Sequence, residues 1–199
     1  MAYPVTVVVT PQLANRDRVT TAFRLILGIP HIVLVGALSW NDHFSGAGLL
    51  GAAAAVLAVV SWFTILWSGQ HLPDIRQFTA YYLRWRTRAI AYLALLEDTY
   101  PPFGEGLYPV SIEVIDPAGS RDRVTVGLRI LLAIPQLIVF FFIGFAWLVT
   151  TIIAWFAILL TARYPESLYR FGVGALRWLL RLEAYVLLMV DEYPPFSLE

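Results

Sequence analysis

Hydrophobic and polar positions follow one another along this chain in two blocks with the same internal order. Each block opens on a short Val- and Ile-rich run, residues 4–10 and 110–115, stopped by Pro11 or Pro117, and this text predicts a strand. An Arg-Asp-Arg segment then leads into a long apolar stretch. A Trp- and Arg-rich segment of helical period follows, and Tyr-Pro-Pro-Phe ends the block, because paired prolines cannot continue a helix.

The blocks are copies of one another. An offset of 105 carries Tyr3-Pro4-Val5-Thr6 onto Tyr108-Pro109-Val110-Ser111 and Arg16-Asp17-Arg18-Val19-Thr20 onto Arg121-Asp122-Arg123-Val124-Thr125. It also carries Arg24 onto Arg129 and Ile29-Pro30 onto Ile134-Pro135. Further along the offset is 93, matching Trp62-Phe63 with Trp155-Phe156, Arg84-Trp85 with Arg177-Trp178, and Tyr100-Pro101-Pro102-Phe103 with Tyr193-Pro194-Pro195-Phe196. Copy one is thus residues 1–104, copy two is 105–199, and copy two lacks 12 residues between the equivalents of Leu34 and Trp62.

A membrane-crossing helix needs about 20 apolar residues to span roughly 30 Å of hydrocarbon. In copy one, 19–39 and 49–69 meet that, joined by a polar turn over 40–46, so 19–69 reads as a hairpin. In copy two, 130–162 carries no charge, and a hairpin over 124–162, turning near Gly144 between 124–143 and 145–162, fits its length. Pro30 and Pro135 fall mid-helix, where each would free a carbonyl. The expected fold class is therefore a mainly α membrane protein built by tandem duplication. Each copy contributes a short strand, a transmembrane hairpin and an interfacial amphipathic helix, four spans in all.

Charge sets the expected orientation. All 14 basic side chains are Arg, and neither hairpin tip holds one. The positive-inside rule makes the arginine side cytoplasmic, with both termini and the Arg-rich helices on it and a pseudo-two-fold along the membrane normal. No cleavable signal peptide is legible, so the first span acts as the targeting signal.

The amphipathic helices are expected over 74–97 and 167–190. Phe78, Tyr81, Tyr82, Trp85, Ala89, Tyr92 and Leu96 recur at helical spacing, as do Phe171, Trp178 and Tyr185 in copy two. Arg84 and Arg88, and likewise Arg177 and Arg181, stand four apart on another face. Such helices lie in the membrane interface, the second apolar enough to pack under the spans, and the paired arginines are candidate binders of anionic lipid head groups. Structural pairing with Asp98, Asp191, Glu97 and Glu192 is the competing reading. The Asp of each Arg-Asp-Arg motif can cap a helix N-terminus, and the Tyr-Pro-Pro-Phe segments read as turns with aromatic anchors. Gly48, Gly51 and Ala55 form a small-residue face on the second span, where a partner helix, or this chain's own, approaches closely.

Composition then removes whole classes of function. The 199 residues are 59% hydrophobic and 14% charged with net charge +0, outside the range of soluble domains and without an electrostatic pull toward nucleic acid. With no Cys there are no disulfides, thiolate metal sites or Cys nucleophiles. His31, His43 and His71 form no metal motif, haem ligation by two of them is a remote reading, and the spans carry no Asp or Glu for proton relay. No phosphate-binding glycine loop or nucleophile elbow is present. The expectation is a non-enzyme with no cofactor and no metal.

Arg177-Trp178, Arg181, Ala184-Tyr185 and the closing Asp191-Glu192-Tyr193-Pro194-Pro195-Phe196-Ser197-Leu198 resemble the bacterial membrane family called domain of unknown function 4389. So do Ala133-Ile134-Pro135, Ala154-Trp155-Phe156-Ala157-Ile158-Leu159 and Arg163-Tyr164-Pro165. The resemblance extends to two tandem copies. In copy one, Gly69-Gln70-His71-Leu72-Pro73 departs from the Arg-Tyr-Pro form. The resemblance implies a bacterial membrane protein and transfers no activity and no functional residue; the spans and charges read above make the expected place the bacterial inner (cytoplasmic) membrane, multi-pass. The expected function is a non-catalytic accessory or scaffold subunit of a larger membrane assembly, its partners being membrane lipids and other membrane subunits or itself. The alternatives are a homo-oligomeric small-solute transporter or pore and an anionic-lipid-binding protein.

Overall fold

The two Val- and Ile-rich runs become strands and pair with each other across the duplication. The computed structural model describes residues 3–36, 48–117 and 121–199. Strand β1 (Val5–Val9) lies antiparallel to β2 (Val110–Val114), with Val5 opposite Val114, Val7 opposite Ile112 and Val9 opposite Val110. Val5 and Val110 are equivalent in the repeat, so the ribbon is symmetric about its Val7–Ile112 pair. Val5, Val7, Val110 and Ile112 turn inward and the alternate residues face out, the two-residue period of a one-sided ribbon.

The remaining elements are helical: α1 (Arg18–Ala22), α2 (Arg24–Val35), α3 (Gly48–Ser68) and α4 (Pro73–Leu93) in copy one, then α5 (Arg123–Gly127), α6 (Arg129–Thr161) and α7 (Glu166–Val186) in copy two. The motif aspartates do cap helices: Asp17 accepts from the Val19 and Thr20 amides, and Asp122 from those of Val124 and Thr125. These first helices are one turn long. Phe23 and Leu128, with ψ of 11° and 7°, interrupt the helical bonding before α2 and α6.

The four expected spans are not what forms. The stretch 19–39 is broken at Phe23, and α2 has 12 residues, about 18 Å, too short to cross. The hairpin of copy two does not exist: α6 runs uninterrupted for 33 residues, about 50 Å, straight through Gly144. One glycine without polar or proline neighbours does not end a helix whose backbone groups find partners only within the helix in apolar surroundings. In copy one α2 ends at Val35 and α3 begins at Gly48, and the 12 residues that copy two lacks fall between Leu34 and Trp62. The expected turn over 40–46, with His43, lies outside the described residues. Among the described residues two helices, α3 and α6, are long and apolar enough to cross a membrane. The continuous α6 also removes the turn on which the one-sided placement of arginines rested, since Arg129 starts it and Arg163 follows it.

The Trp- and Arg-rich helices are likewise not a surface layer. The second half of α4 is enclosed, as Trp85 through Glu97 are all buried, and α7 is buried over Gly172–Leu176. Ala89-Ile90-Ala91 and Gly172-Val173-Gly174-Ala175 are apolar or small all round, and such a helix is covered on all sides. Helices α4 and α7 form the centre, with the ribbon, α2, α3 and α6 packed around them. The buried residues of α6, Arg129, Ala133, Gln136, Gly144, Trp147, Ala154 and Ile158, make one stripe along its length. Its opposite face is bare, with Ile130 and Leu160 each 77% exposed.

The copies exchange contacts in matched pairs. The Trp155 indole donates to the Thr21 carbonyl and the Trp62 indole to that of Val126, both at 2.9 Å. The Arg16 amide donates to the Ala162 carbonyl and the Arg121 amide to that of Gly69, both at 3.0 Å. Gly69 and Ala162 hold left-handed backbone (φ of 77° and 55°) at the ends of α3 and α6, so each long helix is stopped by a bond from the other copy.

Candidate functional site

The chemistry-bearing side chains gather where the Arg-Asp-Arg motifs meet the ends of α4 and α7. In copy one, Arg16 and Arg24 share the Asp98 carboxylate at 2.7 and 2.6 Å. In copy two, Arg121 and Arg129 share Asp191 at 2.7 and 3.0 Å. All four guanidinium side chains are at most 4% exposed. Burial pushes the Arg16 guanidinium down from its ordinary value, and Asp98 works against that.

Each first arginine also grips backbone. Arg16 donates to the Leu95 carbonyl at 2.5 Å, and Arg121 to that of Leu188 at 2.9 Å. Leu95 and Leu188 have φ of 63° and 61°, a left-handed conformation costing a branched L residue about 1–2 kcal/mol. The guanidinium holds the carbonyl of a residue that would otherwise relax. Each second arginine lies over a tyrosine face, Arg24 over Tyr92 at 4.1 Å and Arg129 over Tyr185 at 4.0 Å, and donates to the Glu97 or Val190 carbonyl. Asp98 additionally accepts from the Asp17 amide and the Gln12 side chain. Both Asp98 oxygens are thus occupied, and the cluster ties the start of α1 and α2 to the end of α4.

Above each cluster sits an aromatic nest. The Trp178 indole donates to Gln136 Oε1 at 2.9 Å, and Gln136 Nε2 donates to the Pro194 carbonyl at 2.6 Å. His31 takes the Gln136 place in copy one: its Nδ1 accepts from the Trp85 indole at 3.0 Å, and its ring stacks on Phe103. His31 Nε2 faces the Pro101 carbonyl but falls short of hydrogen-bond geometry. The Tyr-Pro-Pro-Phe segments therefore close the nests, Tyr100 and Phe103 against His31 of α2, and Tyr193 and Phe196 against Tyr185 and Trp178 of α7. Protonating His31 replaces the acceptor facing Trp85 with a donor. Burial holds the His31 imidazole below its ordinary value, so the neutral ring is the folded form, and the chain is expected to lose thermal stability as the pH falls below the ordinary histidine value of about 6.5. His31→Gln is expected to abolish that loss and gain about 0.5–1.5 kcal/mol at neutral pH, through the bond that Gln136 makes. Melting curves at both pH values check it, and equal acid sensitivity in wild type and variant would remove the assignment.

The sequence-expected site residues are spread over the molecule. Arg84 pairs with Glu105 at 2.6 Å beside an open cleft of about 590 Å³ that Phe78, Tyr81 and Phe103 also line. Arg88 is buried and donates to the Gly104 carbonyl. Arg177 reaches the Val7 carbonyl, and Arg181 reaches the Ser197 carbonyl and the Tyr3 ring. Asp98 pairs with Arg16 and Arg24, and Asp191 with Arg121 and Arg129, not with these four. Gly48 packs on Leu34 and Gly36 of this chain, Gly51 is buried, and Ala55 is half-buried. Among the described residues no group of three His, Asp or Glu is placed to hold a metal ion. Sequence reading missed Arg86, whose guanidinium bonds Glu183 and the Val35 carbonyl and so joins α4, α7 and α2. Burial works against its charge, but Glu183 and Tyr82 outweigh it and raise its pKa.

The model of the family described as Domain of unknown function (DUF4389) matches residues 46–104 and 123–197. No curated protein and no solved structure matches the chain.

Proposed function

We propose a function from this premise: the chain belongs to the DUF4389 family, in two copies, and it acts as a non-catalytic integral membrane subunit that scaffolds a larger assembly. The observation that carries the reading is the division of its surface. The buried arginines are spent on internal bonds, whereas α2, α3 and α6 present apolar faces. Trp67 is 90% exposed, Leu25 71% and Phe142 68%. A monomer in water rarely exposes continuous apolar area beyond a few hundred Å². We place α3, about 31 Å long, and α6 in the hydrocarbon of the bacterial cytoplasmic membrane. Ala55 and the outer face of α3 are the surface offered to a partner helix.

Native mass spectrometry of the protein extracted from its host in mild detergent tests this. A foreign subunit in fixed stoichiometry is the expected result. A homo-oligomer without foreign protein would replace the scaffold reading with the pore. Recovery in the aqueous fraction without detergent would overturn the membrane placement itself.

A further inference from the structure

Most arginines of the chain are engaged by a carboxylate or at least partly buried, but three are neither. Arg18, Arg123 and Arg163 are exposed, and none has a carboxylate within ion-pair distance among the described residues. All three stand at the C-terminal ends of the two long apolar helices. The Arg18 guanidinium donates to the Leu160 carbonyl in the last turn of α6 at 3.2 Å, which leaves its other N–H groups free. Arg163 follows two residues after that helix ends. The Arg123 guanidinium lies against Gly69, directly after α3. The acids between the motif arginines are not available to neutralise them, because Asp17 and Asp122 turn onto their own helix amides.

Beside these cations runs bare apolar surface. Phe63, Thr64, Trp67, Ser68 and Leu72 line a groove of about 500 Å³ at the end of α3. Its repeat equivalents Phe156 and Leu160 are 55% and 77% exposed at the end of α6. An exposed indole at the end of an apolar helix, next to an unpaired guanidinium, is the arrangement of a membrane interface.

We propose that Arg123 at the end of α3, and Arg18 with Arg163 at the end of α6, seat the phosphates of anionic phospholipids whose acyl chains lie along Phe63 and Trp67 and along Phe156 and Leu160. Guanidinium forks onto two phosphate oxygens at once, and phosphate is what a bilayer presents at this depth. The seat at α6 is the stronger, with two cations against one, since Gln70 replaces Arg163 in copy one. The inference rests on the membrane placement above. A chain found in membranes but without head-group preference would overturn the lipid seats alone.

The test is native mass spectrometry of the full chain in detergent, titrated with phosphatidylglycerol and with phosphatidylcholine. Wild type is expected to favour phosphatidylglycerol and to retain up to two molecules. Each arginine-to-glutamine change among R18Q, R123Q and R163Q is expected to weaken that preference about fivefold, from the ordinary strength of one basic residue at an anionic surface. Because Arg18 also touches α6, the wild-type preference is measured at rising sodium chloride as well, and is expected to fall as the seats are screened. A folded triple variant with unchanged preference, or a wild-type preference indifferent to salt, overturns the proposal. Displacement of the lipid by about 10 mM inorganic phosphate would reassign the seats to free phosphate, which also overturns it.

Discussion

Asp98→Ala is expected to cost the protein about 3–5 kcal/mol, because it leaves the Arg16 and Arg24 guanidiniums buried side by side with no shared carboxylate. That is a large part of the roughly 5–15 kcal/mol on which an average domain stands. The loss exceeds that of a surface ion pair because neither cation can turn to water: their side chains are 0% and 2% exposed. Removing one cation as well, in Asp98→Ala with Arg24→Met, is expected to recover part of the loss, since one uncompensated charge then remains instead of two. Asp191→Ala repeats the experiment where Val190 stands in place of Glu97 and no second buried acid is at hand. Thermal melting in one detergent measures all three. A loss under about 1 kcal/mol for Asp98→Ala would mean that water reaches the pair and that the clamp is not what fixes the ends of α4 and α7.

Gly48→Leu is expected to unfold the α2–α3 corner whether or not a partner exists. A Cβ at Gly48 would lie 2.5 Å from the Gly36 amide nitrogen and 2.6 Å from the Leu34 carbonyl carbon, and its φ is 69°. Backbone atoms cannot turn aside as a side chain does. Left-handed strain of about 1–2 kcal/mol therefore adds to overpacking of about 1–3 kcal/mol. Ala55→Leu is the contrasting variant. Ala55 is half-buried, so this change is expected to keep the melting temperature within a few degrees and to alter assembly size if α3 meets a partner there. Size-exclusion chromatography and melting of the two variants separate a packing requirement within the chain from a docking surface.

The parts of this fold that are legible in the sequence are those written in local chemistry twice over. Val5–Val9 and Val110–Val114 announce strands by alternation and terminal prolines, and Asp17 and Asp122 announce caps by position. What pairs with what is not legible, because period reports which face of an element is apolar and not what covers it. The same aromatic and arginine stripe on α4 and α7 fits a membrane surface and a protein centre. The small residues Ala89, Ala91, Gly172 and Gly174, where a neighbour's backbone or side chain approaches closely, are the signal that decides it. Gly174 shows this directly, with Leu198 packed where its Cβ would be. The break of copy one and the continuity of α6 escape the sequence for a different reason. Hydropathy over 124–162 sets a length, and a turn at Gly144 follows from that length alone and not from any turn chemistry in the residues. The pairing of Arg24 with Asp98 has a usable sign, since both recur as Arg129 and Asp191 while Glu97 and His31 do not.

The symmetric ribbon of β1 and β2 carries a consequence for how the protein is made. The strands are about a hundred residues apart, so when copy one has left the ribosome its β1 edge has no partner and Gly69 has no amide to meet. Synthesis at about 5–20 residues per second leaves that half waiting for several seconds. During that interval its exposed strand edge matches the same edge on another nascent copy. Overexpression is therefore a hazard particular to this topology: two chains stalled at mid-length can cross-pair, each supplying the other's missing half.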